Sequence, residues 1–133
     1  MSYSVYLLKL ERDYSTNGVF EVLKVGITKD LNTRINYKGS DEPWPIWKCF
    51  PTSQEILYNT EYRFSEKEAE AIEQAVMSKV AVANNSLDND GNPRFHNFSE
   101  PNLISGVTEM RKYTQSDADL ALKTLRYIDE NVS

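Results

Sequence analysis

The sequence predicts an α+β fold, a small antiparallel (mixed) three-stranded sheet flanked by helices. Three observations carry this expectation. Residues 3–10 and 19–27 are two apolar, strand-like segments separated by the turn cluster Asp13-Tyr14-Ser15-Thr16-Asn17-Gly18. A third such segment, 56–64, is aromatic and β-branched in part. The helical segments then attach to this sheet in an order that fits α+β better than a βαβ array.

Each element has its own reason. In residues 3–10, Tyr3, Val5 and Leu7 alternate with Ser4, Tyr6 and Leu8, and both sets carry apolar side chains, so the strand is expected to be mostly buried. Residues 19–27 return along it as a hairpin whose loop exceeds the two-residue type. Thr28 or Asp30 then caps a short helix over 31–37, with Leu31 and Ile35 as its i, i+4 apolar pair. Gly39, Pro43 and Pro45 mark a loop. Ser65 with Glu68 forms a capping box opening the clearest helix, Glu66–Ala83, with Ala69, Ile72, Val76, Val80 and Ala83 on one face. Residues 84–93 read as a polar loop, 94–98 as a candidate short strand, and 102–112 as weakly patterned. Ser116 is expected to cap a last helix over 117–131 with Leu122, Leu125, Ile128 and Val132 on its apolar side. The whole is expected as one domain, 1–133, with a core over 3–98 and a helical extension over 116–131.

Composition narrows the functional classes. No apolar run approaches the length needed to span a bilayer, so no membrane partner is expected. The first residues show no basic region followed by an apolar core, so no secretion signal is expected. Cys49 is the only cysteine, which excludes an internal disulfide and a cysteine-based zinc site and makes a reducing cytoplasm the simplest compartment. The formal net charge of −5 argues against tight, sequence-independent coating of DNA. Lys24, Lys29, Arg34, Lys38 and Lys48 are nevertheless close in sequence, so a locally basic face for a phosphate substrate is compatible with the acidic total.

The stretch Val25-Gly26-Ile27-Thr28-Lys29-Asp30-Leu31-Asn32-Thr33-Arg34 is the most informative of the chain. It reads as a strand end, a turn on glycine, and a short helix bearing one arginine. Tyr6 precedes it on a strand, and Glu73 follows it in the helical segment Ala69-Glu70-Ala71-Ile72-Glu73. The order resembles the GIY-YIG nuclease superfamily. The first signature falls on Ser4-Val5-Tyr6 and the second on Lys24-Val25-Gly26, followed by the arginine and glutamate helices. The string from Lys24 to Arg34 looks most like a phage-associated branch with lysine in place of the second tyrosine. Ser4 stands where that family favours glycine, and the loop between the signatures is longer than usual.

The resemblance implies a metal-dependent endonuclease that hydrolyses DNA phosphodiesters with Mg²⁺ or Mn²⁺. Arg34 would hold a phosphate with its fork of donors and stabilise transition-state charge; its other reading is a surface helix charge. Glu73 would bind the ion, which takes one or two carboxylates plus water; its other reading is a solvated charge on an acidic helix. Tyr6 would orient or deprotonate the attacking water, which a phenol does only with a metal or cation nearby, and Lys24 on the paired strand would supply that charge. A core tyrosine and an ordinary strand lysine are the alternatives. Gly26 would permit the sharp exit from the strand and close approach of a phosphate. Lys29, Lys38 and His96 are further substrate-binding candidates. Ser86-Leu87-Asp88-Asn89-Asp90-Gly91 superficially matches a calcium loop, but position twelve is Asn97, so a plain turn is expected. The replaced second tyrosine keeps open a non-catalytic module of the same fold that binds nucleic acid or protein, such as a phage effector acting on a host protein. The sequence does not specify an oligomeric state.

Overall fold

The computed structural model describes residues 2–13, 19–31, 53–95 and 109–132. Four strands and two helices follow in the order β1 (Ser4–Asp13), β2 (Val19–Thr28), β3 (Ser53–Asn59), α1 (Glu66–Ala83), β4 (Met110–Lys112) and α2 (Gln115–Val132). The α+β expectation holds, with a correction to the sheet. It has four strands in the order β3-β1-β2-β4, and every pairing is antiparallel. β1 and β2 pair over their full length, from Ser4 opposite Thr28 to Asp13 opposite Val19. The 14–18 turn and the expected 31–37 helix beyond Leu31 lie outside the described residues.

The additional strand is β4, where Val22, Leu23 and Lys24 face Lys112, Arg111 and Met110. Met-Arg-Lys is strand only because it closes the free edge of β2. A second correction concerns β3, which ends at Asn59, short of the expected 64. The chain turns away at Thr60. Its N–H donates to the Val5 carbonyl at 3.0 Å, and its hydroxyl accepts from the Val5 N–H at 3.0 Å. Phe64 rejoins β1 only through a single bridge to Tyr3. β3 also slips register against β1 between Leu7 and Leu8, a bulge that bends the edge strand. Residues 94 and 95 form no strand; Pro93 makes an isolated bridge to Leu87 instead.

α1 begins where its capping box places it. Ser65 accepts from the Glu68 N–H at 3.2 Å, and Glu68 accepts from the Ser65 N–H at 3.0 Å. Thr114, not Ser116, caps α2: its hydroxyl accepts from the Asp117 N–H at 3.1 Å. The core is built from Val5, Leu7, Leu23 and Val25 of the sheet, Ala69, Val76, Met77 and Val80 of α1, and Ala118, Ala121 and Leu125 of α2. The expected apolar faces therefore shift. Ala83 is exposed and Val132 is 43% exposed, while small residues at 118 and 121 let α2 approach α1 closely. No helix among the described residues is long and apolar enough to cross a membrane.

Candidate active site

Antiparallel pairing puts Tyr6 opposite Gly26 and Leu8 opposite Lys24, so Tyr6, Gly26 and Lys24 share one side of the sheet. All three are buried. Gly26 sits inside β2, not at a turn, because the strand runs on to Thr28. Its lack of a side chain serves the tyrosine. A Cβ on Gly26 would lie 2.3 Å from the Tyr6 hydroxyl oxygen and 2.4 Å from Cζ, so the phenol occupies the space that any larger residue would need. The expected sharp exit at this glycine is corrected accordingly, and on that side Tyr6 itself covers the Gly26 Cα.

Lys24 is 2% exposed, and its Nζ lies 2.8 Å from Glu109 Oε2 and 5.6 Å from the centroid of the Tyr6 ring. A buried ammonium needs such partners. Glu109 immediately precedes Met110, the residue paired with Lys24 across the β2–β4 edge.

Tyr6, Ile27, Glu70, Glu73, Gln74 and Glu109 line a cleft of about 440 Å³. Glu73 enters it from the second turn of α1 and is 7% exposed. Among the described residues its carboxylate makes no hydrogen bond or ion pair. Burial first, then the negative charge of Glu109, push its pKa up from 4.5 to about 7; Lys24 opposes the rise and Glu70 adds to it. A carboxylate held this way is a candidate functional group. An adjoining cleft of about 330 Å³ shares Gln74 and Glu109 as walls and continues along α1 to Met77, Ser78 and Phe95.

Of the residues singled out in the sequence, the fold thus groups Tyr6, Lys24, Gly26 and Glu73. It does not bring Lys29 to them. Lys29 is exposed, its Nζ stands 5.8 Å from the Tyr3 ring centroid, and it lines a separate cleft with Asp30, Leu31, Ile56, Asn59 and Arg63. Arg34, Lys38 and His96 lie outside the described residues. Glu109 was not recognised in the sequence. Its importance comes from meeting Lys24 across 85 residues, and nothing in the weakly patterned 102–112 segment marks it.

The donor set suits a hard cation held by few protein ligands. Among the described residues Glu73 offers an oxygen pair to the cleft with no partner, and no group of three or more His, Cys, Asp or Glu side chains is arranged to hold a metal ion. Magnesium and manganese sites of one or two carboxylates completed by water fit that description. Compared with protein-family models, curated proteins and solved structures, the chain matches none.

Proposed function

We propose that this chain is a divalent-metal-dependent endonuclease of GIY-YIG type that hydrolyses DNA phosphodiester bonds. The observation that supports it is that Tyr6 from β1 and Glu73 from α1 line one cleft, with Lys24 from β2 beside the Tyr6 ring and paired to Glu109 of the cleft wall. Glu73 would hold Mg²⁺ or Mn²⁺, which when bound supplies the Lewis acidity that polarises a phosphoryl oxygen and neutralises the leaving oxygen. Tyr6 orients the attacking water with its hydroxyl. Lys24 places a fixed positive charge beside the ring. Arg34 would clamp the phosphate, and the residues between it and Gly26 keep the spacing of the resemblance.

The alternative is a non-catalytic nucleic-acid- or protein-binding module, and one observation favours its protein-binding form. Glu70, Glu73 and Glu109 all line the cleft, and Lys24 is already neutralised by Glu109. An acidic cleft repels phosphate and would favour a basic surface, such as that of a host protein if this is a phage effector. The test is incubation of purified wild type with Mg²⁺ or Mn²⁺ on plasmid and on single-stranded DNA, beside Glu73→Gln prepared identically. Nicking that needs the metal and vanishes in the variant is the expected result. Intact DNA in every lane would leave the binding module.

A further inference from the structure

We infer that Glu109 is a second protein ligand of the divalent cation, shared between that ion and Lys24. The inference rests on the metal-site reading of Glu73 and assigns the residue that completes it. Three observations carry it. First, Glu73 is 7% exposed, faces the cleft, and has no hydrogen-bond or ion-pair partner among the described residues. A carboxylate at that depth is costly without a counter-charge, and a cation in the cleft would supply one beyond what the described residues offer. Second, Glu109 lines the same cleft as Glu73, so both carboxylates border the space that an ion would occupy. Third, only one Glu109 oxygen, Oε2, is engaged by Lys24 at 2.8 Å. A carboxylate has lone pairs for both a lysine and a metal.

Glu70 is the natural internal comparison. It lines the cleft and also raises the Glu73 pKa, but it is exposed on α1. It contributes long-range charge, whereas Glu109 is pinned beside the site by a buried lysine. Lys24 thereby has a role in the site beyond replacing a tyrosine: it supplies a counter-charge to an acidic residue. Its ammonium fixes the orientation of an acidic ligand, as outer partners of metal ligands do.

The experiment is Mn²⁺ binding, read by calorimetry and by the electron paramagnetic resonance signal of free Mn²⁺, with no DNA present. Wild type is compared with Glu73→Gln, Glu109→Gln, Glu109→Asp and Glu70→Gln, each checked for folding by circular dichroism. Glu73→Gln should abolish binding. Glu109→Gln should weaken it on the order of tenfold or more, the scale of losing a ligand's support. Glu109→Asp, which keeps the charge and shortens the reach, should weaken it as well, and Glu70→Gln should change it little. Wild-type affinity in Glu109→Gln overturns the inference while leaving Glu73 as a lone ligand. Wild-type affinity in Glu109→Asp overturns direct ligation, because charge alone then suffices. Absence of Mn²⁺ binding by wild type overturns both the inference and the metal part of the nuclease reading. Mn²⁺ binding with the expected pattern but no DNA cleavage upholds the inference and removes the nuclease.

Discussion

Among the described residues three carboxylates are buried, and they fall into two regions with opposite designs. At the far end of α2, Asp129 accepts the Tyr58 hydroxyl at 2.6 Å and the Glu61 and Tyr62 N–H groups at 3.0 Å each. Burial works to raise its pKa, but these donors prevail and hold it below the ordinary value. The same carboxylate raises the pKa of Tyr58, together with burial as the larger cause, to about 12. Near the start of α2, Asp117 accepts from Asn84, and its Oδ2 lies 2.8 Å from Arg111 Nε, a contact made without hydrogen-bond alignment. Arg111 also donates to the Phe95 carbonyl at 3.0 Å and to Ser86 at 3.3 Å. These two aspartates tie α2 to α1, to β4 and to the turns after β3 and α1. Glu73 is equally buried and tied to nothing described. A carboxylate buried with partners holds a fold; one buried without them, on a cleft, is available for chemistry.

Breaking the tied region should give the largest effect. Asp117→Ala leaves Arg111 buried without its counter-charge and is expected to cost roughly 3–5 kcal/mol, measured by urea unfolding. A loss below about 1 kcal/mol would mean that the pair is not structural. In the cleft region, Glu73→Gln should lower metal-dependent DNA cleavage by about 10²-fold or more, on the order of 2.7 kcal/mol of transition-state stabilisation. Equal turnover in wild type and variant would remove Glu73 from the reaction.

Gly26→Ala tests how the cleft is built. The new methyl meets the Tyr6 phenol, so a loss of about 1–3 kcal/mol is expected from overpacking. In a Tyr6→Ala background the same change should cost much less, and equal costs in both backgrounds would show that the tyrosine is not the obstacle. The smallest effect belongs to the sheet surface. Lys9 lies 2.8 Å from Glu21, and their side chains are 21% and 37% exposed, so Lys9→Met should change stability by less than about 1 kcal/mol and lose even that in high salt.

The sequence made some of this legible and concealed the rest for physical reasons. The hairpin and α1 are written locally: alternating apolar residues around a turn cluster, and Ser65 three residues before Glu68. β4 is not, because Met110–Lys112 is a strand only by virtue of the β2 edge that it closes. The apolar face of α2 was read from its large residues, whereas Ala118, Ala121 and Leu125 make its buried stripe beside two partnered aspartates. Glu73 stands out because it follows Tyr6 and Arg34 in the order of the resemblance, on a helix that its capping box makes legible. Glu109 could not stand out, since its meaning depends on a lysine 85 residues away in the chain, brought beside it only by the β2–β4 pairing. Gly26 reads as a turn residue from sequence, although its reason is the ring lying over it, a contact that no local pattern encodes.

The central claim is that Glu73 is held in the cleft against the stability of the fold, unlike Asp117 and Asp129. Its folded pKa is raised from 4.5 to about 7, so between these values the native state binds more protons than the unfolded state. Stability from this group is therefore fully present below about pH 4.5 and is lost as pH rises through about 7. The decisive measurement is the unfolding free energy of wild type and Glu73→Gln at pH 4.5 and pH 8, without divalent metal. The account predicts near equality at the lower pH and a variant more stable by roughly 2–3 kcal/mol at pH 8, from the size of the shift. A Glu73→Gln variant less stable than wild type at pH 8 would contradict it and make Glu73 a structural carboxylate like the other two.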